Sequence, residues 1–168
     1  MNSLKTILLT IISLTTLASN KSVSCNTFYQ IEWDIPVAIT IKADIAKLDS
    51  NQYQFTKRTF ILNMDEEADY SWYDFTGTSD SPITNFKDYS PRKYKGFIKV
   101  DITKDMPGFE SGRAAPYGIL GQVDFLLPKK QLDQATSQSE IEAVVILSYI
   151  ADHWGGTRTL KCQVSINN

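Results

Sequence analysis

Histidine is almost missing from this chain. His153 is the only one among 168 residues, which removes the commonest general base and the commonest ligand of zinc and copper. Neither a metal nor an organic cofactor is expected. No G-x-S-x-G turn marks a serine nucleophile. Repeats, low-complexity tracts and linker-like stretches are lacking too, so a single domain is the economical reading. Beyond the first residues no segment approaches about 18 uninterrupted apolar positions, which predicts no integral membrane segment in the mature chain. A surplus of positive charge is also missing. Setting aside residues 1–24 removes Lys5 and Lys21 and leaves 15 basic against 19 acidic residues. That balance argues against nucleic acid as the partner.

What is present begins with a leader. Lys5 supplies a positive n-region, and Ile7 to Leu17 is a run of apolar residues and small hydroxyls too short to span a bilayer. Small residues then offer two cleavage sites, one with Thr16 and Ala18 at −3 and −1 and one with Ser22 and Ser24. The expected organisation is a signal peptide over residues 1–24 and one secreted domain over residues 25–168, placed outside the cell, at its surface or in a periplasm. In such a compartment an even cysteine count predicts a disulfide, Cys25–Cys162. The rival reading makes Cys25 a lipidated N-terminus, although Ser22 stands where a lipobox has an aliphatic residue.

The strongest periodicity follows. Tyr29, Ile31, Trp33, Ile35, Val37, Ile39, Ile41, Ala43 and Ile45 occupy every odd position, and period two means extended chain with one apolar face. Pro36 cannot donate a ladder hydrogen bond, so a break, bulge or edge position is expected near it. At the other end Ile141–His153 is rich in β-branched residues, Gly155-Gly156 offers a two-residue turn, and Thr157–Ile166 alternates. A hairpin around that turn pairs Ala151 with Leu160, Tyr149 with Cys162, Leu147 with Val164 and Val145 with Ile166. Between the ends, Tyr53–Phe55 and Phe60–Met64 read as strands broken at Lys57-Arg58. Phe97–Ile102 and Ile119–Leu127 alternate as well, while Thr76–Pro82 carries turn chemistry. With no convincing helix, the predicted fold is all-β, a single-domain antiparallel β-sandwich of immunoglobulin-like or related type with that C-terminal hairpin.

The most unusual composition lies in "DEEADYSWYDF", Asp65–Phe75, with five carboxylates, four aromatic rings and no base. Tyr70, Trp72, Tyr73 and Phe75 are the candidate ligand- or partner-binding residues. In an extended segment Tyr70 and Trp72 share one face and Tyr73 and Phe75 the other, so one pair packs inward and the other is free for recognition. Asp65, Glu66 and Asp69 are weak calcium candidates because they supply hard oxygens without EF-hand spacing, and Asp101 or Asp105 could join them. Glycoside hydrolysis needs two carboxyls facing each other across a cleft, which neighbours on one strand do not provide. Asp152 beside His153 suggests a base and its orienter, yet strand neighbours point to opposite faces. No catalytic residue is assigned.

Tyr29–Ile45 and the terminal "GGTRTLKCQVSINN" resemble the alternating N-terminal donor segment and the final strand of fimbrial subunits assembled by chaperones and ushers. That resemblance implies surface assembly by strand exchange. The function expected from the sequence is a secreted, non-catalytic binding module acting in adhesion. Its partner is an extracellular protein, a carbohydrate or another copy of itself. A membrane-active toxin is the alternative and a hydrolase the third reading.

Overall fold

The seventeen-residue alternation turns out to be parts of two strands. In the computed structural model, which describes residues 20–30, 36–64, 74–86, 92–109, 120–149 and 156–167, β1 (Asn20–Gln30) and β2 (Pro36–Lys47) run antiparallel with Tyr29 opposite Val37 and Lys21 opposite Ile45. Pro36 opens β2, the strand position where a missing N–H costs least. The odd-numbered residues of both strands point inward: Val23, Cys25, Val37, Ile39, Ile41, Ala43 and Ile45 are buried. The apolar face therefore begins with β1, ahead of Tyr29, in residues assigned above to the leader.

The chain continues through β3 (Tyr53–Met64), β4 (Phe75–Ser79), the two-residue β5 (Ile83–Thr84) and a 3-10 turn at Arg92–Tyr94. It then forms β6 (Phe97–Asp101), β7 (Leu120–Pro128), a short helix α1 (Lys129–Gln134), β8 (Ser139–Tyr149) and β9 (Gly156–Asn167). The all-β antiparallel architecture is the one expected, but the strands form one continuous sheet. Its order is β4-β3-β2-β1-β9-β8-β7-β6, with β5 beside β3, curled into a half-barrel. Two stacked sheets are not what builds the core. Inward residues from the whole sheet, among them Val23, Ile39, Phe60, Phe125, Val145 and Leu160, meet in one cluster.

The two edges of the curl are tied together. Phe86, just after β5, donates its backbone N–H to the carbonyl of Lys99 in β6 at 2.9 Å. Arg58 of β3, fully buried, donates to the carbonyls of Ile102 at 2.6 Å and Lys104 at 2.8 Å beyond β6. It also reaches Ser81 O at 3.0 Å and Ser79 Oγ at 3.2 Å. Lys57-Arg58 is thus a bulge within one strand, not a break between two. Lys42 pairs with Thr59 but Asp44 with Thr56, so β3 carries one extra residue there, and Lys57 takes a left-handed φ of 44°. The bulge switches the inward set from Tyr53 and Phe55 to Arg58, Phe60 and Leu62.

The C-terminal hairpin exists in a different register. Leu147 pairs with Gly156, Ala143 with Leu160, Ile141 with Cys162 and Ser139 with Val164. Gly156 is therefore a ladder residue, and the proposed Gly155-Gly156 turn is not the connection; residues 150–155, with His153 and Gly155, lie outside the described set. The shift is eight residues, an even number, so Leu160, Cys162 and Val164 still face inward. Thr76–Ser79, read above as turn, lies in β4. Its inward positions after Phe75 are Gly77 and Ser79, too small to show an apolar alternation.

β1 lies between β2 and β9, and Cys25 faces Cys162 directly across the β1–β9 ladder. The two form the expected disulfide, with Cα atoms 3.9 Å apart and both cysteines fully buried. Closing a loop with a sequence separation of 137 stabilises the fold by about 5 kcal/mol in the chain-entropy account.

Candidate functional site

Antiparallel sheets keep one face for the core and show polar residues on the other. Even-numbered residues of β1 and β2 therefore meet solvent, and so do odd-numbered residues of β9. Near the start of β1 this outer face is concave. A cleft of about 540 Å³ opens there, floored by Ser22 and Ser24 of β1, Lys42 and Asp44 of β2 and Gln163 and Ser165 of β9. One wall is Lys57, set by the β3 bulge; the other is Ser137 and Gln138, in the turn before β8. That turn is fixed to β9, since Gln138 N–H donates to Val164 O at 2.8 Å and Ile166 N–H to Ser137 Oγ at 3.4 Å.

Asp44 is the chemical centre of the cleft. It accepts a hydrogen bond from the Ser22 hydroxyl. The Asn167 amide donates to Ser22 Oγ at 2.6 Å and to Asp44 Oδ1 at 3.4 Å, while Lys57 Nζ lies 3.7 Å from Asp44 Oδ2. Among the described residues three non-glycine positions have left-handed φ: Lys57 at 44°, Asp105 at 55° and Gln138 at 70°. Two of these form the opposite walls of this cleft. Such conformations cost about 1–3 kcal/mol each and collect where a side chain must be aimed. A polar outer face is ordinary; a concave one with both walls built on unfavourable backbone is not.

A second, smaller recess of about 250 Å³ lies beneath α1, lined by Lys21, Ile45, Lys47, Tyr53, Leu132 and Asp133. Its groups satisfy one another. Lys21 Nζ donates to the carbonyls of Leu132 at 2.6 Å, Ala135 at 2.9 Å and Asp133 at 3.2 Å, at the C-terminal end of the helix, where the Ala135 N–H also reaches Leu132 O at 3.4 Å. Burial pushes the Lys21 pKa down, opposed by the charge of Asp133. The Tyr53 hydroxyl donates to Asp133 at 2.7 Å and Lys47 pairs with the same carboxylate at 3.0 Å. This recess is a clasp holding α1 against the sheet.

The residues singled out from sequence fare unevenly. Phe75 is buried at the start of β4, with ring centroids 5.9 Å from Phe60 and 5.3 Å from Phe109, so this member of the aromatic set belongs to the core. Tyr70, Trp72, Tyr73, Asp65, Glu66, Asp69, Asp152 and His153 lie outside the described residues. Asp101 accepts from the backbone N–H of Thr103 at 3.1 Å and from its hydroxyl at 2.8 Å, closing a turn after β6. Among the described residues no three His, Cys, Asp or Glu side chains gather in a way that could hold a metal ion, and no helix is long and apolar enough to cross a membrane. The cleft was not foreseen, because Asp44, Lys57, Ser137 and Ser165 are distant in sequence and meet only through the strand order. Comparison of the chain with protein-family models, curated proteins and solved structures gives no match.

Proposed function

We propose that this is an exported, non-catalytic β-domain that binds a hydroxyl-rich ligand, a carbohydrate, in the cleft around Asp44. The observation that carries the reading is the Ser22–Asp44–Asn167 set. A carboxylate already accepting from a protein hydroxyl, with an amide and an ammonium beside it, can exchange those partners for sugar hydroxyls. Charge-assisted hydrogen bonds of this kind are the stronger ones. Lys57 on one wall and Gln138 on the other can close on the ligand from both sides, and the walls are fixed by the bulge and by the Gln138–Val164 bond. The non-catalytic part rests on the surroundings of Asp44: the other charged groups lining the cleft, Lys42 and Lys57, are cations, and hydrolysis would need a second carboxyl facing it. Tyr70 and Trp72 remain candidates for a ligand or partner contact.

The version in which copies assemble by exchanging a donor strand has less support. The donor-like segment Tyr29–Ile45 takes in the end of β1 and most of β2, which sits between β1 and β3. Releasing it would break both of β2's ladders, and β1 is in turn bonded to β9 through Cys25–Cys162. The membrane-active alternative looks to exposed apolar side chains. Among the described residues the exposed large apolar side chains are Phe28, Leu48 and Phe86, and Phe28 lies opposite Ala38, near the other end of β2 from Leu48. Ten residues of strand separate Phe28 from Leu48 by about 33 Å, so these two do not share a patch.

Binding of the oxidised protein to an immobilised panel of mono- and oligosaccharides tests the proposal, with vesicle leakage and turnover of the same sugars measured in parallel. Asp44→Ala should abolish binding of the sugars retained by the unmutated protein, with the Tm little changed. Binding that survives Asp44→Ala, or turnover of any sugar, overturns it.

A further inference from the structure

The exported reading leaves open where the leader is cut, and the first strand decides between the two sites. We infer that the peptide bond between Ala18 and Ser19 is the processing site, so that the mature chain starts with Ser19 and Cys25 is never a terminus. This rests on the chain being exported with a removable leader.

Cutting before Cys25 would delete Asn20–Ser24 from the folded protein. Those five residues fill five successive positions against β9, from Asn20 opposite Asn167 to Ser24 opposite Gln163. Four of them, Lys21 to Ser24, also pair with β2. Val23 is 2% exposed and part of the core. Lys21 donates to the carbonyls of Leu132, Asp133 and Ala135. Its loss would remove the short bonds to the carbonyls of Leu132 and Ala135, leaving Leu132 with the 3.4 Å bond from the Ala135 N–H, at a cost that is a large share of a domain's stability. Ser22 belongs to the Asp44 set in the cleft. A cut after Ser24 would thus open a gap in the middle of the sheet, between β2 and β9, and remove the clasp on α1 together with part of the proposed ligand site. A cut after Ala18 leaves β1, from Asn20 on, intact.

The sequence around that bond suits the reaction. Leader peptidases require small residues at −3 and −1, and Thr16 and Ala18 occupy those positions. The step is a hydrolysis by a membrane-bound endopeptidase: water adds across the amide, the Ala18 carbonyl carbon becomes a carboxylate, and the Ser19 nitrogen leaves as a free amine and takes up a proton. The same strand argues against lipidation. A diacylglyceryl thioether would need the Cys25 sulfur, which is already bonded to Cys162 and fully buried.

The test is to express the full chain in a secreting host and determine the first residue of the exported protein by sequencing and intact mass. Ser19 is the expected result. Ala18→Leu, which blocks −1 of this site, should accumulate uncut precursor, whereas Ser24→Leu, which blocks −1 of the other, should be processed as the unmutated chain is. An exported protein beginning at Cys25, with or without lipid, or a block by Ser24→Leu, overturns the assignment while leaving the leader reading intact. An exported protein that still begins at Met1 overturns both.

Discussion

Arg58, on the strand beside β4, and Ile102, just beyond the edge strand β6, link the two ends of the curled sheet: the guanidinium of one donates to the carbonyl of the other at 2.6 Å, with neither residue exposed to solvent. Burial pushes the Arg58 pKa down, and the carboxylates of Asp105 and Asp101 oppose that. Its Nη atoms supply four hydrogen bonds, to Ile102, Lys104, Ser79 and Ser81. The remaining nitrogen, Nε, has no partner, so the site is built around what the Nη atoms span.

Arg58→Met keeps much of the apolar stem and removes the donors. Stranding buried carbonyls at Ile102 and Lys104 should destabilise the protein by about 3 kcal/mol or more. Arg58→Lys should rescue only part of this, because one ammonium cannot span Ile102 and Ser81 together. Urea unfolding gives the energies. Native-state hydrogen exchange should show the Phe86 amide, bonded to Lys99 across the same seam, losing protection before the β1 amides do. Unchanged exchange at Phe86 would mean that the seam does not depend on Arg58.

Arg58 also shows what a sequence does and does not disclose. Inward residues are odd in Tyr53 and Phe55 and even in Phe60 and Leu62. That change of parity is itself the mark of a one-residue bulge, visible in the sequence, and it would have placed Arg58 inside. A basic pair reads instead as a break, because buried arginine is rare. The alternation from Val37 to Ile45, the boundary at Pro36 and the Cys25–Cys162 bond were legible because each depends on local periodicity or on the only possible pairing. The β8–β9 register was not, since any even shift keeps Leu160, Cys162 and Val164 on the core face. Nor was the insertion of β1 between β2 and β9, on which the cleft depends: Lys21, Ser22 and Ser24 carry no apolar pattern, and their partners lie over a hundred residues away in β9.

The clasp under α1 makes stability depend on pH in two opposite directions. For Asp133, burial pushes the pKa up, but the hydrogen bond from Tyr53 and the contact with Lys47 outweigh it and hold the carboxyl below its ordinary value. A depressed folded pKa gives stability that is complete above the unfolded value, about 4, and is lost as pH falls through the folded value. For Tyr53, burial first and then the bond to Asp133 raise the pKa. That contribution is complete below the unfolded value, about 10, and is lost as pH rises through the folded one. Tyr53→Phe should therefore flatten the acid limb in part and abolish its alkaline counterpart, at a neutral-pH cost of roughly 1 kcal/mol. Asp133 is partly exposed, so the acid limb should be worth under about 1 kcal/mol after solvent screening. Urea midpoints of the two proteins from pH 2 to 11 measure both; parallel curves would show that the hydroxyl bond contributes nothing.

The aromatic segment yields the remaining prediction, and Phe75 anchors it. Its ring packs between Phe60 and Phe109, so Phe75→Ala should cost about 3–5 kcal/mol, the range for losing a large buried ring. In an extended segment, residues an even number of positions apart share a side, which would group Tyr73 with Phe75 and Tyr70 with Trp72. If the extended conformation of β4 continues upstream, Tyr73→Ala should share in the loss of stability. Tyr70→Ala and Trp72→Ala should leave the Tm within a degree or two and weaken binding of a partner that the Asp44 cleft does not serve, as exposed interface rings do. Melting the four single variants separates the pairs. Pull-down from the natural surroundings, with Asp44→Ala in parallel, then asks whether the rings and the cleft hold the same target. A Trp72→Ala variant that melts as early as Phe75→Ala would assign the whole segment to the core and leave the cleft as the recognition surface.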